Sequence, residues 1–574
     1  MAVHRPSRVS SAAFLGALAL LFVVTRSPQA TQPPPLVAAD LLLTNARIVT
    51  VDDELPAAEA VAVRGDRIMA LGGSAELQRY AGTATRVLDL HGQLVIPGFV
   101  ESHGHFSGLG EARLQLNLTD TTSWAEIVAR VASAATDAKP GEWIVGRGWH
   151  QDKWTTRPDP SVEGFPTHAS LDAVSPDNPV LLTHASGHAV FVNGRAMALS
   201  GITRTTRAPA GGDIIVDDRG DPIGLLRETA ENLVRRGAGD ATRDRKALEL
   251  ASAEALSKGI TSFQDAGSSF ATIDRMKHLI DEGRIGVRLW VMVSEGNAAA
   301  AGKLKQYRLI DYAGGHLTVR ALKRQMDGAL GSRGAWMLEP YTDKPDSTGL
   351  NTTPVAAIEE TARLAIEHDY QLCVHAIGDR ANRETLNVFE RAFRANPSRR
   401  DLRWRVEHAQ HLASADIPRF GQLGVIASMQ GIHCTSDAPY VVDRLGRTRA
   451  EEGAYVWQKL MKSGALVANG TDAPVEDVDP IPNFYASVTR RATSGIVFYA
   501  DQRMNRLEAL KSYTINGAYA AFQDDSRGSL KIGKLADMTV LSKDILTVPE
   551  EEIRSAKVVY TIVGGKIAYS AGSR

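Results

Sequence analysis

The sequence has little of what marks several protein classes. It contains two cysteines in 574 residues, Cys373 and Cys434, each in an apolar stretch and without the paired spacing of a zinc knuckle or redox motif. A disulfide scaffold is excluded. No sign of charge predominates: 65 Lys and Arg stand against 66 Asp and Glu, so the balance selects neither a nucleic acid nor an anionic membrane as partner. There is no internal repeat of fixed period and no low-complexity tract beyond the Pro-rich Gln32 to Pro35, which removes solenoid and collagen architectures. The glycine-rich stretch Gly328 to Gly334 lacks the Gly-Lys-Ser/Thr ending of a phosphate loop, which disfavours nucleotide binding.

Long apolar runs are scarce as well. The run Ala12 to Val24 follows Arg5 and Arg8 and precedes a polar segment containing Pro28. That is the order of a secretory signal, and the run is short for a membrane span. The expectation is a signal over 1–30, a linker over 31–40 and an exported protein, periplasmic or secreted. The alternative is an uncleaved anchor, because Pro28 sits badly for cleavage after Ala30; it would be the only membrane attachment.

What is present is an α/β pattern between two β-rich ends. Short strand-like segments with turns between them fill Leu41 to Val87, and the same texture returns at Met538 to Leu541 and Val558 to Tyr569. The two ends are expected to build one small composite β-sandwich, from residues 41–93 and 521–574. Between them, over 94–520, candidate strands are Leu94 to Val100, Ile260 to Gln264, Arg288 to Val293, Leu317 to Leu322, Gln371 to Val374, Leu402 to Val406, Val425 to Met429 and Leu466 to Asn469. Helical stretches such as Arg243 to Ser257 and Pro354 to His368 show apolar spacing of three and four. An eight-stranded (β/α)₈ TIM barrel is the economical topology. The gap from about Thr119 to Thr242 is too long for one crossover and is expected to be an insertion over the barrel mouth.

The chemistry-bearing residues sit at strand ends. His103 and His105 follow Leu94-Val-Ile-Pro-Gly-Phe-Val, and residues two apart on an extended segment share a side, so both imidazoles can address one metal. Alone, such a pair is more often two turn histidines. His375, His408 and Asp472 end later strands, and all strand C-termini of a parallel barrel open on one face. Four histidines and an aspartate converging there make a divalent metal site, one or two ions. Zinc suits these donors best, with iron, cobalt, nickel or manganese as alternatives.

The segments Pro97-Gly-Phe-Val-Glu-Ser-His-Gly-His, Val374-His-Ala-Ile-Gly-Asp-Arg, Arg405-Val-Glu-His-Ala-Gln and Gly470-Thr-Asp-Ala-Pro resemble the signatures of the amidohydrolase superfamily. More narrowly they resemble amidohydrolase family 3, the YtcJ-like branch that includes N-substituted formamide deformylases. Gly146-Arg-Gly-Trp-His, Ser186-Gly-His-Ala-Val-Phe-Val-Asn, Asp327-Gly-Ala-Leu-Gly-Ser-Arg and Gly533-Lys-Leu-Ala-Asp-Met-Thr-Val-Leu extend the likeness over nearly the whole chain after the leader. The resemblance implies that His103 and His105 bind a buried metal, His375 and His408 a more exposed one, and that Asp472 contacts metal and acts as general base. It also implies that Lys323 is carboxylated and bridges two ions, an arrangement that burial of the amine favours. His188 and Arg333, both in these motifs, are the expected substrate-binding residues, with Trp149 and Trp154 as candidate lining of the mouth. Glu101 departs from the Asp common in the first motif and receives no role.

The implied activity is hydrolysis of an amide, formamide or cyclic amide by a metal-activated water. The same centre acting on an ester, lactone or amidine is one alternative, and a barrel that binds a ligand without turnover is another. The expected partners are a small-molecule substrate and a second copy of the chain in a homodimer.

Overall fold

The computed structural model describes residues 37–235 and 240–572. The expected signal and most of the linker therefore lie outside the described residues. No helix among the described residues is long and apolar enough to cross a membrane.

Eight parallel strands form the body in sequence order: Phe99–Gly104, Ile260–Ser268, Arg288–Val293, Leu317–Gln325, Gln371–Ala376, Arg405–His408, Ile426–Met429 and Val467–Asn469. Their side chains are almost all buried, because helices cover the outside and the interior is filled. The crossover helix Val355–His368 turns Ile358, Thr361, Ala362 and Ala365 inward, the three- and four-residue spacing that a 3.6-residue period requires. The ring closes at its C-terminal end, where the Asp472 amide donates to the His103 carbonyl at 2.7 Å and the His105 amide to the Ala473 carbonyl at 2.6 Å.

The first expected strand, Leu94 to Val100, is two strands. Leu94–Pro97 lies in a six-stranded sheet, paired with Arg47–Val49 and Met538–Leu541, and the barrel strand starts only at Phe99. Pro97 and Gly98 account for the break. Proline has no amide to continue a ladder, and a Cβ at Gly98 would stand 2.2 Å from the Thr261 side chain, so only glycine lets the chain step so close to the second barrel strand.

Both termini supply the outer sheets. The six-stranded sheet contains Val558–Val563 and Lys566–Ser570 beside the strands already named. A four-stranded sheet is built from Arg67–Gly72, Ala60–Arg64, Leu41–Thr44 and Arg86–Asp89. Leu41, Leu43 and Val61 from one sheet share a buried cluster with Ile48, Val95, Met538 and Ile562 from the other, as two sheets packed face to face must. A third sheet, running from Leu116–Asn117 through Ile144–Trp149 and Val180–His184 to Pro222–Glu228, occupies the long gap after the first barrel strand.

A buried ion pair ties the sandwich to the barrel. Arg288, at the start of the third barrel strand, donates through Nε to Asp537 at 2.8 Å and through Nη2 at 3.1 Å. Burial raises the Asp537 pKa, but the Arg288 guanidinium more than offsets this and holds the carboxyl below its ordinary value. Asp537→Ala leaves Arg288 buried and alone, and we expect it to cost about 3–5 kcal/mol, read as a lowered unfolding midpoint. The double change Arg288→Met with Asp537→Leu should cost less than Asp537→Ala alone; an equal or larger loss would show that packing, not the unpaired charge, decides.

Candidate metal centre

The ring closure dictates what meets at the mouth. Gly470 follows the eighth strand, and a Cβ there would stand 2.3 Å from Glu101 Oε1 and 2.5 Å from the His103 amide. Glycine is what allows strands one and eight to touch. Glu101, which received no role from the sequence, is the clasp of this seam: Oε1 accepts from the His103 amide at 3.0 Å and the Thr471 amide at 2.8 Å, and Oε2 accepts from the Thr471 hydroxyl at 2.9 Å. Burial pushes its pKa up to about 8.

The clasp places His103 and Asp472 side by side. Donor atoms of His103, His408 and Asp472 all lie within 4.8 Å of one another, and all three residues are buried. Ligand atoms of a tetrahedral zinc ion stand about 3.3–3.5 Å apart, so the set needs only a small contraction to reach coordination size. The rest of the expected group gathers around it. His105 Nε2 is 3.1 Å from Asp472 Oδ1, Lys323 Nζ is 3.4 Å from His103 Nε2, and the His375 and His408 rings are 4.5 Å apart between centroids. The backbone is bent to achieve this: φ is 76° at His408 and 58° at Asp472, a left-handed conformation that costs a non-glycine residue about 1–2 kcal/mol and recurs at functional sites.

Three features suit this cluster to a cation. First, the imidazoles are held as neutral ligands. Burial pulls the His103 pKa down to about 4, and its Nδ1 donates to the Glu407 carboxylate, which leaves the Nε2 lone pair facing Asp472. His408 Nδ1 donates to Gln430 Oε1 at 2.8 Å, with the same consequence. Such partners orient metal-binding histidines. Second, Glu407 is itself secured, with Arg405 Nε at 2.7 Å; burial raises its pKa, but Arg405 and His103 outweigh that and keep it ionised. Third, His375 Nε2 is a buried ring nitrogen without a hydrogen-bond partner, and its ring stands beside that of His408.

Asp472 stays a carboxylate. Burial raises its pKa, yet the hydrogen bond from His105 and the neighbouring imidazoles hold it well below the usual carboxylate range. Lys323 is affected in the opposite sense, its burial lowering the ammonium pKa.

The insertion supplies the other wall. His188 lies 5.0 Å from His375 between ring centroids, and its Nδ1 is 2.7 Å from Glu228. Burial alone would lower the His188 pKa, but Glu228 lifts it to about 9. Arg333 is a correction. It donates to Asp343 at 2.9 Å and is absent from the walls of the cavities at the centre, because Asp343 holds it in a network with Arg444. Trp149 and Trp154 also do not line the mouth: Trp149 is fully buried, stacks on Trp154 at 6.0 Å and donates its Nε1 to the Leu182 carbonyl, so both serve the insertion's own core.

Sequence reasoning passed over Glu407, Gln430, Glu228 and His433. A signal existed for two of them. Arg405 and Glu407 are charged residues at alternate positions of a strand buried on both faces, where charge survives only when paired. His433 comes shortly after the seventh strand, in the helix Gly431–Leu445; its Nδ1 accepts from Gln410 at 2.9 Å and its Nε2 faces Asp472 at 4.0 Å.

With this geometry in hand, comparison with known proteins is decisive. The model of the amidohydrolase family matches residues 86–569. The chain belongs to that family. This amidohydrolase is 31% identical to YtcJ of Bacillus subtilis over 542 residues, 91% of the chain and 98% of the relative. It is 26% identical over 548 residues to an N-substituted formamide deformylase of Arthrobacter pascens, 92% of the chain and 98% of that enzyme. The crystal structure of an uncharacterized metal-dependent hydrolase from Pyrococcus horikoshii superimposes with a TM-score of 0.72 at 25% identity, covering 89% of this chain and 99% of the other. The amidohydrolase is therefore a metal-dependent hydrolase by family, and His103, His408 and Asp472 form its candidate metal site.

If Glu407 orients His103, Glu407→Ala should weaken metal binding about 10- to 100-fold in competition with a chelator. An unchanged affinity in the folded variant would separate Glu407 from the metal.

Proposed function

We propose that this amidohydrolase cleaves a carbon–nitrogen bond other than a peptide bond, in an amide, formamide or cyclic amide. The carrying observation is the convergence of His103, His105, His375, His408, Asp472 and Lys323 beside one cavity of about 650 Å³. The likeness to a formamide deformylase supports the choice of bond. His103, His408 and Asp472 would hold one ion, zinc by donor type, with His105, His375 and a carboxylated Lys323 available to a second. The lowered ammonium pKa of Lys323 favours the neutral amine that adds carbon dioxide. A divalent cation in such a cluster lowers the pKa of a coordinated water from about 16 to about 7 and polarises the carbonyl under attack.

The protein's own groups handle the proton and the substrate. Asp472, ionised and buried, takes the proton of the attacking water and delivers it to the departing nitrogen, which leaves as a neutral amine. Glu101 fixes the backbone on both sides of this transfer, through the amides of His103 and Thr471. His188, held by Glu228 on the insertion, faces the reacting carbonyl from the opposite wall and donates to its oxygen as charge develops there. With residues 1–30 read as an export signal, the reaction belongs outside the cytoplasm.

The test is a panel of formamides, N-acyl amines and cyclic amides offered to metal-loaded protein, with products identified by mass spectrometry. Turnover should be lost on chelation and restored by zinc, and Asp472→Asn should lower kcat at least about 10²-fold. Silence across the panel from fully loaded protein, or an Asp472→Asn variant equal to wild type on any substrate found, would remove the proposal.

A further inference from the structure

The centre opens on two sides with different chemistry. A narrower cavity of about 120 Å³ has aromatic and apolar walls, including Tyr440, Leu330, Ile377 and Pro439, together with the carboxylates Asp152, Asp437 and Glu476. The cavity of about 650 Å³ is lined by the guanidinium groups of Arg147 and Arg324 beside Lys323, and Asp472 is the one Asp or Glu in its wall. The two share His188, His408 and Asp472, so a substrate lying across the reacting groups places one arm in each.

Arg147 is the group that hydrolysis at the metal site leaves without a task. It sits on the insertion strand Ile144–Trp149, and its hydrogen bonds go only to backbone carbonyls, from Nε to Pro474 at 3.4 Å and from Nη2 to Ala185 at 3.1 Å. Among the described residues no carboxylate lies within ion-pair distance of it; Arg288, Arg405 and Arg444 each have one, and Arg324, which has none, places all three guanidinium nitrogens on the Thr361 hydroxyl, the Lys323 carbonyl and the Asn297 side chain. Asp472, Glu231 and Glu111 act on it from further away, and burial, the larger influence, lowers its pKa. A guanidinium carries five N–H donors, and the Nη1–Nη2 edge keeps unused ones. Glycine at position 187 leaves that edge uncovered: a Cβ there would stand 3.5 Å from Nη2 and 3.8 Å from Nη1. Through Pro474, the guanidinium is anchored two residues beyond Asp472.

We propose that Arg147 binds a carboxylate of the substrate through its Nη1–Nη2 edge, so that the substrate class is an N-acylated amine bearing a carboxylate close to the scissile bond, with its apolar arm in the narrower cavity. A half-buried cation without a counter-ion is incompletely solvated, and a planar fork matched to a planar anion is the arrangement that relieves it. This substrate class rests on the C–N hydrolase reading; the anion site at Arg147 does not.

Two measurements on metal-loaded protein keep those apart. In the first, benzoate and benzamide are titrated against wild type, Arg147→Gln and Arg147→Lys. Wild type should bind benzoate at least about tenfold tighter than benzamide, the scale of a charge-assisted hydrogen bond. Arg147→Gln should reduce that ratio to below about threefold, and Arg147→Lys should fall between. A wild type without the preference, or an Arg147→Gln variant that keeps it because the anion sits on the metal, overturns the anion site. In the second, N-formylphenylalanine and N-formylphenylalaninamide are compared as substrates. A wild-type preference for the carboxylate that Arg147→Gln abolishes supports the substrate class, and equal turnover of the pair by wild type overturns it. If neither is hydrolysed while benzoate behaves as expected, the substrate class fails and the anion site stands, and the C–N reading is decided separately by the amide panel.

Discussion

The hydrogen bond from the Asp472 amide to the His103 carbonyl, with the Glu101 carboxylate clasped across the same seam, is the constraint on which the site depends. A parallel barrel must bring its last strand back to its first, and here the join falls at the residues that carry the chemistry. Glycine at 470 permits the approach and Glu101 fixes it. Strand-end side chains then have no choice of neighbour, since His103 must look at Asp472 and, across the mouth, at His408.

A second layer of buried charge stiffens the first. Arg405, Glu407 and His103 form a chain in the barrel interior, where each member would be costly alone and is tolerable because the next one pairs with it. The outcome is a histidine held in one tautomer with its free lone pair aimed at the cluster. Gln430 does the same for His408. His375 adds a buried ring nitrogen without a hydrogen-bond partner beside the same cluster. The division of labour follows: barrel strands supply the reactive groups, while the insertion, through His188, Ser186 and Arg147, shapes what can reach them.

Much of this was legible from the chain, for identifiable reasons. Seven of the eight barrel strands were marked by short apolar runs that overlap them, although the run Leu402 to Val406 begins before the strand Arg405–His408 and the run Ile260 to Gln264 stops short of Ser268. The exception was Leu94 to Val100, where continuous hydrophobicity hid the passage from sandwich to barrel at Pro97 and Gly98. His103, His375, His408 and Asp472 stood out because they end such runs. Glu101 did not, because a carboxylate inside a strand has no meaning until its partner, Thr471, is known; Glu407 carried a signal in its alternation with Arg405, but its pairing with His103 needed the fold. Arg333 misled for the converse reason: its motif was recognisable, but Asp343 takes its charge. Trp149 and Trp154 likewise turned inward.

By itself the sequence determined the alternation of strands and helices and the residues placed at strand ends, because burial periodicity and side-chain chemistry are local properties of the chain. Tertiary structure alone decided which of those residues share a cavity, which charges are matched and which, like Arg147, are left without a counter-ion. That depends on the closure of the ring and the seating of the insertion, both set by contacts between residues hundreds of positions apart, which no local pattern encodes.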